Sequence, residues 1–199
     1  MNNSHILPIV LVTTSLFGCA FTTESVDIKY NPQQHVTIIP NAKQATVNVH
    51  VRDDRLDKSK VSSKKNGYGM EMAPILANEK IEITINRAIE QELMARGFQV
   101  SSDARIHINA DINQFYNEHK PGLFSGDAIA DFDMVVIVQA KTGQQIYFKR
   151  IKTQGIEADT QLASGENAAL ALNLALKKGM KMLFDDTAFI SALLITDAQ

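Results

Sequence analysis

The sequence predicts an α+β domain in which two helices pack on one face of a mostly antiparallel sheet of about four strands, in the order β-α-β-β-β-α. Three observations lead to this prediction. Four segments carry apolar residues at alternate positions or in a short apolar run, as strands do. Two longer segments carry apolar residues at helical spacing. Strands and helices are also partly segregated along the chain.

The first strand is expected at residues 45–51. Val47, Val49 and Val51 alternate there with polar residues, which is the pattern of a strand with one buried face. Residues 52–74 are charged or interrupted by glycine and proline, so we expect a loop between this strand and the first helix.

The first helix is expected over residues 79–96. A stripe of apolar side chains recurs there at every fourth position: Ile81, Ile85, Ile89 and Leu93. Asn78 is the expected N-cap, and Gly97 is the expected C-terminal stop.

Three further strands follow. Residues 106–113 alternate between apolar and polar side chains. Residues 128–141 include an apolar run on both faces, which predicts a central strand. A turn at Thr142 and Gly143 connects this strand to a charged strand over residues 145–157, whose lysines suit a sheet edge.

The second helix is expected to start after Ser164, a good N-cap residue. Its apolar stripe is Ala169, Leu172, Leu176, Met180 and Leu183. A short helix is expected to restart at Asp185 or Asp186 and to continue to about Leu194.

The composition is that of one ordinary globular domain. The chain has 199 residues, of which 45% are hydrophobic and 21% are charged. A formal net charge of -2 provides no general attraction to nucleic acid, and the sequence contains no Trp for a base-stacking surface. We therefore expect no nucleic-acid partner.

The single cysteine, Cys19, directly follows an uncharged, mostly apolar segment. That segment is too short to span a membrane as a helix but is typical of a signal peptide. We predict a signal peptide at residues 1–18, a lipidated N-terminus and polar tether at 19–42, and a single domain at 43–199. Residues 36–39 are a candidate edge strand within the tether.

Residues Leu16-Phe17-Gly18-Cys19 resemble the lipobox of bacterial lipoproteins, in which the cysteine takes a diacylglyceryl thioether and becomes the mature N-terminus. The resemblance implies a membrane anchor at Cys19. In lipoproteins, Asp directly after the cysteine favours retention in the inner membrane, and Ala20 stands there in this chain. We therefore expect a lipid-anchored, periplasm-facing protein of the outer membrane of a Gram-negative bacterium.

Further features extend this resemblance over nearly the whole mature chain. They are the strand Val47-Asn48-Val49-His50-Val51 running into Arg52-Asp53-Asp54-Arg55, the segment Glu92-Leu93-Met94-Ala95-Arg96-Gly97-Phe98, the residues Tyr116 and Asn173, and Phe184-Asp185 before Phe189-Ile190. With the lipobox, these features resemble the YajG-type family of uncharacterised envelope lipoproteins of Gram-negative bacteria. The resemblance implies a fold and an envelope location, and it brings no active site with it.

The sequence provides few candidates for catalysis. His50 and His107 lie on the polar faces of two predicted strands and would be neighbours at a metal if these strands pair, but solvated strand residues have the same pattern. Asp131 and Asp133 share a strand face and are either a carboxylate pair for glycan chemistry or exposed residues. The sequence has no nucleophile elbow and no phosphate-binding glycine-rich loop. We predict no catalytic residue, no metal and no cofactor.

The segment from Arg52 to Lys65 holds six cations and is the strongest candidate for binding. Aspartates offset the charge at its start, so the predicted anion-binding residues are Lys58, Lys60, Lys64 and Lys65. Their ligands would be phosphates of lipid headgroups or lipopolysaccharide, or carboxylates of peptidoglycan. A mobile, solvated loop is the alternative.

Together these features favour a non-enzymatic interaction or accessory module in the periplasm. Its expected partners are the membrane, through the lipid at Cys19, and another envelope protein, lipopolysaccharide or peptidoglycan. The alternative is a periplasmic enzyme acting on the cell wall. A deep cleft that holds His50, His107 or the paired aspartates would favour the enzyme.

Overall fold

The computed structural model of the protein describes residues 21–122 and 125–195. The predicted signal peptide at 1–18 lies outside them. Eight strands are described: β1 Glu24–Val26, β2 Thr46–Asp53, β3 Ser62–Lys65, β4 Glu71–Ala77, β5 Gln99–Val100, β6 Ile106–Lys120, β7 Gly126–Ala140 and β8 Gln145–Thr160. The helices are α1 Ile81–Ala95, α2 Gly165–Phe184 and α3 Thr187–Leu193, with a short 3-10 turn at Ala42–Gln44.

The α+β class is confirmed, but the predicted sheet was too simple. The strands form a five-stranded sheet in the order β5-β2-β6-β7-β8 and a three-stranded sheet in the order β1-β4-β3. Strands β6, β7 and β8 form the expected antiparallel meander. Strand β2, however, runs parallel to both β5 and β6. The connection that follows β2 includes α1 and brings the chain back to the end of the sheet at which β2 begins. Strands β5 and β6 therefore start from that end and run in the same direction as β2.

The helices cover one face of the five-stranded sheet. Helix α2 packs mainly on β8 and β7, and α1 packs on β2. The prediction that β7 is central is confirmed, since it lies between β6 and β8. Its even-numbered side chains from Ala128 to Ala140 point into the core, while none of the described helices covers the opposite face of the sheet.

The predicted loop at residues 52–74 was partly wrong, because it contains β3 and part of β4. These strands were missed because Ser62–Lys65 has no apolar alternation and is recognisable only by its pairing with β4. Backbone bonds also join this hairpin to the large sheet, with the amide of Asn117 donating to the carbonyl of Val61.

The segment before β2 lies against the domain from Glu24 onward. Residues 36–39 do not form the expected strand, and the strand of this region is β1, which pairs in parallel with β4. Farther along, the amide of Gln33 donates to a carboxylate oxygen of Glu92 at 2.7 Å. The part of the predicted tether from Glu24 onward is therefore held against the domain.

The predicted N-terminal caps are confirmed for two of the three helices. Ser164 caps α2 by accepting from the amide of Asn167, and Asp186 caps α3 through the amide of Ala188. Helix α1 begins instead after Lys80, without a side-chain cap. Asn78 was wrongly predicted as its cap, because its side chain donates to Asp27. In the described part of the chain, no helix is long and apolar enough to cross a membrane.

Candidate functional site

The predicted lipidation site, Cys19, lies outside the described residues, which begin at Phe21. Its modification stays a prediction. The structure does show where the chain leads from that point. Phe21 borders a cavity at one end of the domain, and Glu24 begins strand β1 beside it.

The four lysines predicted to bind anions do not form one patch. Lys64 and Lys65 lie on β3, where Lys64 pairs with Glu24 at 3.1 Å and Lys65 pairs with Glu118 at 2.8 Å. Lys58 and Lys60 border a separate cavity of about 640 Å³ under the 52–60 segment. Lys60 is paired there with Glu71 at 2.5 Å. Three of the four ammonium groups therefore already have a carboxylate partner.

The end of the domain at which Lys64 and Lys65 lie contains a second cavity. It has a volume of about 560 Å³ and is enclosed by the N-terminal segment, the β3–β4 turn, the β6–β7 connection and the β8–α2 loop. Its walls include the apolar side chains of Phe21, Leu162 and Ala163, the cations Lys64, Lys65 and Lys120, and the imidazole of His119. We call it the His119 cavity.

His119 points inward because strand β6 contains a bulge. The pairing of β6 with β7 shifts between Ile112 and Gln114. Inward-facing residues are even-numbered before the bulge and odd-numbered after it, from Phe115 onward. His119 was not among the predicted site residues, because strict alternation along the strand would have placed its ring in solvent. The sequence signal for the bulge was Phe115, an apolar residue at an odd position in a strand whose earlier apolar residues are at even positions.

His119 is 6% exposed, and no protein group within the described ranges is in hydrogen-bond geometry with either ring nitrogen. Burial lowers the pKa of His119 below its ordinary value, and the charge of Lys65 lowers it further. The nearby backbone of Ser164 raises the pKa of His119, but by less than burial and Lys65 lower it. A neutral imidazole has one donor and one acceptor, so this ring is a polar group in the cavity wall without a hydrogen-bond partner among the described residues.

The hydroxyl groups around this cavity are occupied by structural bonds. Ser125 Oγ donates to Asp159 at 3.2 Å, and Ser164 Oγ accepts from the amide that it caps at 3.3 Å. Neither is hydrogen-bonded to His119, so the described residues of the cavity contain no paired nucleophile and base.

The predicted carboxylate pair lies elsewhere, on the uncovered face of the large sheet. Asp133 accepts from Arg150 at 2.6 and 2.8 Å, and these bonds, followed by the charges of Arg150 and Lys152, lower its pKa. Asp131 accepts from the amide of Gln154 at 3.0 Å. Because the environment of Asp133 favours its ionised form, Asp133 is poorly suited to be the protonated carboxyl that glycan hydrolysis needs.

His50 and His107 lie on the same uncovered face. Strands β2 and β6 pair as the metal hypothesis required, with His50 opposite Asn109 and His107 opposite Asn48. Over residues 21–122 and 125–195, however, no group of three metal-binding side chains comes together. These two imidazoles therefore lack the third protein ligand of an ordinary zinc site.

Comparison with known proteins gives the family. A family model described as uncharacterized lipoprotein matches residues 32–193, which is most of the chain. The chain belongs to this lipoprotein family. A relative, the uncharacterized lipoprotein YajG of Escherichia coli K12, is 21% identical over 176 residues, covering 87% of this chain and 88% of the relative. The resemblance inferred from the sequence is thereby confirmed.

The fold of this lipoprotein also occurs in a solved structure. A crystal structure of a Xanthomonas campestris protein has a TM-score of 0.57 and 11% identity, covering 80% of this chain and 91% of that one. A minor lipoprotein from Acinetobacter baumannii has a TM-score of 0.46 and 6% identity, covering 74% of this chain and 94% of that one.

Several residues that carried the family resemblance have clear structural roles in this lipoprotein. Arg55 is buried and bonds Asp53 through two nitrogens, at 2.9 Å each, while donating to the carbonyl of Phe115. Asn173 accepts from the backbone of Lys29 at 2.8 Å, which holds the N-terminal segment on α2. These contacts join segments that are far apart in the chain and therefore stabilise the fold.

Proposed function

We propose that this lipoprotein is anchored by lipid at Cys19 in the outer membrane of a Gram-negative bacterium, faces the periplasm and works by binding rather than by catalysis. Membership of a lipoprotein family supports the anchor, as does the lipobox that ends at the only cysteine of the chain. The observation that carries the binding role is the His119 cavity, in which apolar walls, lysines and a buried imidazole converge.

The anchor is tested by replacing Cys19 in the full-length chain. Cys19→Ser should remain an uncleaved, unacylated precursor by mass spectrometry. Ala20→Asp should move the mature protein from outer-membrane to inner-membrane fractions. Thr22→Asp, which adds the same charge three residues from the cysteine, should not. Cleavage and detergent partitioning of Cys19→Ser would refute the anchor.

The binding role is tested by filling the cavity. The acylated protein, purified from envelopes, should carry a small molecule that mass spectrometry detects after denaturation. Ala163→Trp places a large ring in the cavity wall and should remove that molecule, whereas Ala188→Trp at an exposed site of α3 should retain it. Equal content in both variants, or no bound molecule in the natural protein, would argue against a binding function for the cavity.

The alternative, a periplasmic enzyme acting on the cell wall, has less support from the geometry. The two aspartates lie on a sheet face, Asp133 is held ionised by Arg150, and the described hydroxyls at the His119 cavity serve as structural donors and caps. Conversion of a peptidoglycan fragment by the purified protein would overturn this argument.

A further inference from the structure

The N-terminal segment is held to the domain almost as far as the predicted lipid. Glu24 accepts from the amide of Gly165 at 3.1 Å and pairs with Lys64, and β1 is paired with β4. An extended chain covers about 3.5 Å per residue, so Cys19 lies within about 18 Å of Glu24 and within about 7 Å of Phe21. A lipid on Cys19 therefore places one end of the domain, the end with the His119 cavity, next to the bilayer.

Large side chains are exposed at this same end. Phe21 is 43%, Tyr68 91% and Leu162 73% exposed, and they come from the N-terminal segment, the β3–β4 turn and the β8–α2 loop. Phe21 and Leu162 line the cavity, and Tyr68 stands between two glycines that also line it. Exposed apolar side chains that cluster on separate loops mark a contact surface, and Tyr is enriched where membrane meets water.

The charges at this end are nearly balanced. Lys64 and Lys65 pair with Glu24 and Glu118, while Lys120 is exposed with no ion pair to a described residue. Asp127 and Asp159 lie nearby at the ends of β7 and β8. Attachment of this end to a lipid surface should therefore depend mainly on apolar contact rather than on net charge. It should change little with salt or with anionic lipid.

We propose that this end of the domain lies on the bilayer, with Phe21, Tyr68 and Leu162 in the interfacial region of the lipids. The proposal rests on the acylation of Cys19 proposed above. In this orientation the His119 cavity opens toward the membrane, and its ligand enters from the lipid side. The far end of β8 points into the periplasm, because Phe148 is about 40 Å along the strand from Thr160.

The absence of Trp from the sequence provides a direct test. Tyr68→Trp, Leu162→Trp and Phe148→Trp each introduce a unique fluorophore at an exposed site. The full-length acylated variants are reconstituted into vesicles of phosphatidylcholine brominated in its acyl chains, with and without phosphatidylglycerol. The Trp at position 68 or 162 should lose emission about twofold, because an indole at the headgroup level lies within reach of the bromines. The Phe148→Trp variant should keep its emission.

Flotation of the same vesicles tests the lipid anchor independently of the orientation of the domain. If the variants float with the vesicles but Trp at positions 68 and 162 is not quenched, the orientation is wrong and the anchor stands. Quenching at position 148 would show that the open sheet face lies on the membrane, which also overturns the orientation. Variants that are unacylated and fail to float would remove both the anchor and this proposal.

Discussion

The carboxylate of Glu92 on helix α1 accepts the hydroxyl hydrogen of Tyr30, which lies in the extended segment between β1 and β2. The same carboxylate accepts from the amide of Gln33 and pairs with Arg96 one turn along the helix. Arg96 in turn stacks on the ring of Phe184 at the end of α2, at 4.7 Å. This buried network ties the N-terminal segment to both long helices, and burial followed by the bond to Glu92 raises the pKa of Tyr30.

Removing the charge of Glu92 should destabilise the protein strongly. Glu92→Gln leaves the buried guanidinium of Arg96 without its counter-ion, for which we expect a loss of about 3 kcal/mol in the free energy of unfolding in urea. Glu90→Gln on the same helix removes a half-buried carboxylate that accepts a hydrogen bond from Asn86 and should change stability by less than about 0.5 kcal/mol. Similar losses for both variants would show that the network does not carry this energy.

The ion pair of Asp53 and Arg55 should make stability depend on acid pH. Burial alone raises the pKa of Asp53, but the hydrogen bonds and the charge of Arg55 together lower it below 3.8. Folding therefore favours the carboxylate, and its stabilisation is present above pH 3.8 and is lost as the pH falls through the lower folded-state value.

Asp53→Asn should remove this dependence and destabilise the protein by about 3 kcal/mol at neutral pH, because Arg55 is left buried and unpaired. The matched variant Asp54→Asn breaks an exposed pair with Arg52 and should lose less than about 1 kcal/mol. Urea unfolding between neutral and acid pH measures both. If the stability of Asp53→Asn falls with acid pH as steeply as that of the natural protein, Asp53 is not the source of this pH dependence.

Gly155 allows α2 to approach strand β8 closely. A methyl group at this position would overlap the carbonyl oxygen of Ala171 and lie 2.5 Å from the backbone nitrogen of Ala175. Gly155→Ala must therefore push the helix off the sheet, for which we expect about 3 kcal/mol of destabilisation. Gly67→Ala, where the added methyl meets nothing within 4 Å, should be near neutral in the same thermal or urea unfolding. Wild-type stability of Gly155→Ala would mean that the packing is looser than described.

The apolar stripe of α1 faces the core, as its periodicity predicted. Ile85 and Ile89 are fully buried, whereas Ile83 on the same helix is 45% exposed. Ile85→Ala or Ile89→Ala should each destabilise the protein by about 2–4 kcal/mol. Ile83→Ala should stay within about 0.5 kcal/mol of the natural protein. If the three variants unfold at the same urea concentration, the helix does not pack as described.

His119 should make stability fall in weakly acidic solution. Its pKa is below the ordinary 6.5 in the folded protein, so the unfolded chain binds a proton first as the pH falls. The contribution of His119 to stability is therefore complete above pH 6.5 and declines as the pH drops toward the folded-state value. His119→Gln should flatten this part of the stability profile, while His107→Gln, on the same strand but the uncovered face, should preserve it. A profile unchanged by His119→Gln would refute this reading of the cavity.

The local periodicity of side chains predicted the longest elements well. Strands β2, β6, β7 and β8 and helices α1 and α2 were recognised because each has a long apolar face that repeats within its own segment. Strands β1, β3, β4 and β5 were missed. A strand such as β3, which is rich in serine and lysine, exists because β4 pairs with its backbone, and side-chain patterns do not report pairing.

By itself, the sequence determined the family, the α+β class and the apolar faces of the main elements, because each of these depends on patterns within contiguous residues. It also carries the prediction of a lipid on Cys19. The parallel pairing of β2 and the burial of Glu92 and Arg55 were decided only by the tertiary structure. So was the convergence of Phe21, His119 and Leu162 on one cavity. These features depend on contacts between segments far apart in the chain, and on one bulge in β6 that reverses which side chains face inward.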